Sequence, residues 1–188
     1  MLSRCGLGIL LAATMVMQTA AARAQDLAPI RSAGSSLLAW LISLRAPLDT
    51  IVAREKKDQL RRQLVDLNMR LYETGLKIED LVRDLERPNP DRARITAHVA
   101  DFRTRVDRFR SELGKVGPLL LQEHRAGGSR VEDALRGAAA SRAALVERLE
   151  DAAAVSAMRP GLATEGRATL IVLRRATKEL SVLIRRLG

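Results

Sequence analysis

The sequence predicts an all-α protein: an antiparallel four-helix bundle with an additional N-terminal helix, following a cleaved signal peptide. Three observations carry this. Aromatic residues are only 2% of the chain while Leu, Val, Ile and Ala abound, so the side chains that favour sheets are scarce. Apolar residues recur in steps of three and four over long stretches. Sparse Pro and Gly punctuation divides the 188 residues into segments of matched length.

The first element reads as an export signal. Arg4 gives a positive start, residues 6–17 an apolar stretch, and Ala22-Arg23-Ala24 a small-x-small cleavage site, so the mature chain is expected to begin at Gln25. That stretch of about 12 residues falls short of the ~20 needed to span a bilayer. Three regions follow: residues 1–24 as signal peptide, 25–59 as an apolar helix with a polar hinge, and 60–188 as the bundle. The expected location is the periplasm or outside the cell. The one cysteine, Cys5, leaves with the signal, so no thiol is expected in the mature protein.

In the second region Leu37, Leu38, Trp40, Leu41 and Ile42 cover too much of the helix circumference for one buried stripe. This helix is expected to be either docked or sticky, and these five residues are the candidate partner-binding set. In the bundle, segments 60–87, 90–116, 129–158 and 162–187 give rods of roughly 40 Å. The first carries Leu60, Leu64, Leu67, Leu71, Ile78, Val82 and Leu85 in one seam, with Gly75 its small member. The second carries Ile95, Val99, Phe102, Val106, Phe109, Leu113 and Val116. Pro88-Asn89-Pro90 makes a tight joint, with Asn89 the expected N-cap. Gly127-Gly128 reads as a break before a helix opened by a Ser129/Glu132 capping box, and Arg159-Pro160-Gly161 as a break before the last helix.

Chemistry is poorly supplied. His98 and His124 stand alone, without the spacing that would put several metal ligands on one helix face. No glycine-rich phosphate loop, nucleophile elbow or paired-carboxylate motif occurs. No enzymatic activity and no cofactor are expected. A haem or small-ligand site in the bundle core, using Met69 or Met158, is the weakest of the readings.

Charge points to binding. The chain carries 32 basic and 22 acidic residues, a net charge of +10, and loss of residues 1–24 removes only Arg4 and Arg23. Most basic residues are Arg, a bias that GC-rich coding produces unaided, and an exported protein seldom meets nucleic acid, so nucleic acid is a minor partner. Arg167, Arg174, Lys178 and Arg185 stack into one positive stripe on the last helix, the candidate anion-binding set. The leading expectation is an exported, non-enzymatic bundle that binds another protein or a second copy of itself. A chaperone-like role fits its size and charge, though the LTxxQ repeat of one group of small exported helical chaperones is missing. The runner-up is a peripheral envelope protein that binds anionic lipid or lipopolysaccharide through the last helix.

Overall fold

The computed structural model describes residues 27–46, 50, 56–149 and 152–188, with side chains for all of these except 103, 140–149 and 152–157. The predicted signal peptide lies outside them, as do residues 53–55 of the polar stretch 53–59 read as a hinge; Lys57, Asp58 and Gln59 of that stretch are instead the first turn of the helix that continues to Glu86. Five α-helices pack together: α1 (Ala28–Ser43), α2 (Lys57–Glu86), α3 (Arg92–Val116), α4 (Gln122–Leu149) and α5 (Ala152–Leu187). A 3-10 turn, Gly117–Leu119, joins α3 to α4. Among the described residues there is no strand.

The helices form a closed ring. α2 packs most extensively on α5 and then on α3, and α3 packs on α4. α4 and α5 barely meet, because α1 lies between them and packs on both. One hydrophobic cluster therefore joins Leu37, Trp40 and Leu41 of α1 to the seams of the other four helices. A second, at the hairpin end, gathers Leu27, Leu81, Leu85, Ile95, Val99, Met158 and Leu162.

The sequence seams on α2 and α3 are buried as expected, with one exchange: Thr74 takes the buried position and Gly75 lies at the α2–α5 surface. The Thr74 hydroxyl donates to the Arg70 carbonyl one turn back, which satisfies it in the seam. At the hairpin, Asp91 rather than Asn89 caps α3, its carboxylate accepting from the Arg94 N–H at 3.2 Å. A carboxylate there also meets the positive end of the helix dipole.

Two expected breaks are continuous helix. α4 starts at Gln122 and runs through Gly127, Gly128 and Ser129, so no capping box forms. The glycines serve close packing instead: a Cβ on Gly127 would stand 2.3 Å from Cδ1 of Trp40, and one on Gly128 3.5 Å from its Cζ2. α5 likewise runs through Pro160. An interior proline costs a helix about 3 kcal/mol, but Met158, Leu162 and Ala163 on either side of it are buried against α2, α3 and Leu27. Tertiary packing outweighs the local penalty.

Candidate functional site

The five residues expected to bind a partner on α1 split three ways. Leu37, Trp40 and Leu41 are buried in the core, Leu38 packs partly buried against it, and Ile42 alone is largely exposed. The helix is docked, and its core-facing side chains offer no surface in this fold. Trp40 is the anchor: its ring lies on the two glycines of α4, and its Nε1–H donates to the His124 carbonyl at 3.3 Å. Gly34 brings α1 close to α5, since a Cβ there would touch Val172 at 3.2 Å. The edges are tied by Arg31 to Glu165 at 3.3 Å and Arg45 to Glu179 at 2.7 Å, and by the Arg186 guanidinium donating to the Arg45 carbonyl at 2.8 Å.

The basic stripe on α5 is exposed, but half of it is already engaged. Arg167 pairs with Glu86 of α2, and Arg174 with Glu79 of α2 at 3.1 Å. These are interhelical ties, each worth a fraction of a kcal/mol at the surface. Lys178 and Arg185 form no ion pair among the described residues.

The structure exposes a different surface. Val65, Met69, Tyr72 and Leu76 line the outer face of α2, and with Ile171 of α5 each is between 44% and 58% exposed. Their spacing is 4-3-4. It repeats the inner seam of Leu60, Leu64, Leu67 and Leu71 five residues later, which turns it by about 140° around the helix. Alongside runs a groove of about 180 Å³ between α2 and α5, floored by Leu71, Leu170 and Leu173 and walled by Tyr72, Leu76 and Arg174. Gly75 keeps it open, since no other residue comes within 4 Å of where its Cβ would be. The five-residue offset is present in the sequence, but one seam per helix already accounts for a bundle, so the pattern alone does not mark the second stripe as a surface.

A polar cluster closes the hairpin end. Asp84 of α2 is 2% exposed, and its carboxylate receives His98 Nε2 at 3.0 Å, Arg94 Nε at 3.2 Å and Arg87 Nη1 at 3.2 Å. Burial alone would raise its pKa, but the His98 hydrogen bond together with the charges of Arg87 and Arg94 outweighs it and holds the carboxyl below its ordinary value. This carboxylate, held by three donors and kept more acidic than usual, clamps α2 to α3 and is a poor general base.

Within the core, a cavity of about 30 Å³ between α1, α2, α3, α4 and α5 is lined by Gly34, Leu37, Thr74, Phe102, Leu135 and other mostly apolar side chains. Small-molecule sites typically have about 300–1,000 Å³. Among the described residues, no three His, Cys, Asp or Glu side chains gather as a metal site, and no helix is long and apolar enough to cross a membrane. Comparison with protein-family models, with curated proteins and with solved structures finds no match to this chain.

Proposed function

We propose that this chain is an exported, non-enzymatic helical protein that acts by binding another protein through the face where α2 and α5 meet. In this reading α2–α5 form a four-helix bundle, α1 is the additional helix that completes its wall, and residues 1–24 are the signal removed before Gln25. One observation carries the proposal: four large apolar side chains at helical spacing, Val65, Met69, Tyr72 and Leu76, lie outside the core beside an open groove. Leaving apolar area in water costs roughly 25 cal/mol per Å², and a contiguous exposed patch of this kind is typical of interaction surfaces. The shape also fits. A row at 4-3-4 spacing is what an amphipathic helix presents to a partner helix.

Anionic lipid is the competing ligand. It would have to draw Arg167 and Arg174 away from Glu86 and Glu79, which supports ranking it second. A photo-crosslinking residue at Tyr72, with one at Ser129 on α4 as control, tests the reading in the native cell. Protein adducts at position 72 and none at 129 are expected. Lipid adducts alone would favour the runner-up, and no adduct at either position would overturn the docking face. The intact mass of the recovered protein tests export independently: a soluble product that keeps Met1 would sink it.

A further inference from the structure

We propose that the occupant of this face is a second copy of the same chain, docked with its α2 parallel to the first and seated in the α2–α5 groove. The proposal rests on the reading of the face as a protein-docking surface and names the partner. Its warrant is the charge on either side of the apolar stripe. The flank toward α3 carries Asp66, Glu73 and Asp80 at intervals of seven, with Arg62 at its head. The flank toward α5 carries Arg185 and Lys178, followed by Arg174, which Glu79 of α2 already holds. The stripe thus runs between an acidic and a basic row.

Their heights also correspond. α2 and α5 run antiparallel, and the Asn68 amide donates to the Ser181 hydroxyl at 3.4 Å, which sets those two residues level. Asp66 is then level with residue 183 and Glu73 with residue 176. Arg185 and Lys178 stand two residues further along, a displacement of about 3 Å that their side chains span easily. Asp66, Lys178 and Arg185 form no ion pair within the chain among the described residues, whereas Glu73 already holds Arg70 at 3.2 Å and Asp80 holds Arg83 at 3.1 Å.

Symmetry selects the orientation. A two-fold axis running along α2 keeps every height and exchanges the flanks, so the acidic row of each copy meets the basic row of the other at its own level. A two-fold axis across α2 would set acid against acid and base against base. Opposite charges across an apolar strip fix register, and like charges exclude the wrong one. The stripe from Val65 to Leu76 is about 16 Å long, so the contact is small and the dimer should be of the weak, reversible kind.

The test uses the naturally processed protein. Sedimentation velocity should show a concentration-dependent dimer that Tyr72→Arg abolishes while the thermal melt by circular dichroism stays unchanged. Asp66→Arg should weaken dimerisation by about tenfold or more, and adding Arg185→Glu should restore it. Val65→Cys and Leu76→Cys, each with Cys5→Ser, should both form disulfide-linked dimers, because a parallel two-fold brings every stripe position opposite itself. An antiparallel pair would give this at one of them at most. A monomer at all concentrations overturns the inference. If Tyr72 then crosslinks to a protein of different mass, the docking reading survives without it; if Tyr72 crosslinks to no protein, both fall. A dimer indifferent to Tyr72→Arg, or a charge swap that restores nothing, also overturns it.

Discussion

The apolar surface of α1 and the outer stripe of α2 look alike in composition and have opposite fates. α1 exposes apolar groups around most of its circumference, and the fold absorbs them by placing the helix between α4 and α5, with Trp40 lying on Gly127 and Gly128. α2 has two apolar stripes: the inner one is consumed by α3 and α5, and the outer one is left in water. Apolarity marks both as surfaces that require a partner. The gap in the helix ring decides which partner is internal.

The comparison breaks first, if it is wrong, at Trp40. Trp40→Ala should destabilise the protein by about 3–5 kcal/mol in urea unfolding, the cost of emptying a core site. A loss under about 1 kcal/mol would mean that α1 only rests on the bundle. Next comes the close approach that admits the ring. Gly127→Ala gains up to about 1 kcal/mol of helix propensity, yet its Cβ would meet the Trp40 ring at 2.3 Å. A net loss of about 1–3 kcal/mol is expected, and a gain would show that the two helices have room to separate.

Asp84→Asn sharpens the contrast from the polar side, where α2 is already satisfied. It should cost about 1.5 kcal/mol near neutral pH, a modest figure because the guanidiniums of Arg87 and Arg94 are about half exposed. The sign with pH is fixed by the depressed pKa. The contribution is complete above the unfolded value of about 3.9 and is lost as pH falls through the lower folded value. Melts of the two proteins should therefore differ at pH 6 and converge in strong acid. The smallest effect is expected at the stripe itself: Tyr72→Ala should change the stability of a single copy by under about 0.5 kcal/mol. A large loss would place Tyr72 in the core and remove it from the docking face.

Much of the architecture was legible in local periodicity. The seam from Ile95 to Val116 is buried along its whole length, and so is the leucine run of α2. What the chain did not reveal locally was non-local. Gly127-Gly128 reads as a helix break until Trp40, 87 residues upstream, is known to lie on it. Pro160 reads as a stop because its local cost is visible while the packing of Met158 and Leu162 that offsets it is not. The basic stripe looked free for the same reason, since Glu79 and Glu86 lie on another helix. The outer stripe of α2 was legible as the inner seam shifted by five residues, but only as a pattern; that it stays in water is a property of the assembled ring.

The position of α1 also sets an order of events. Arg31 and Arg45 find their carboxylates 134 residues downstream, so α1, which packs on both α4 and α5, cannot complete its native seat until α5 has emerged. Helical proteins usually fold fast because their contacts are near in sequence, and chains are made from the N-terminus. Here the ring closes last, around a helix whose Trp40 has no cover until α4 is made and whose far edge has none until α5 follows.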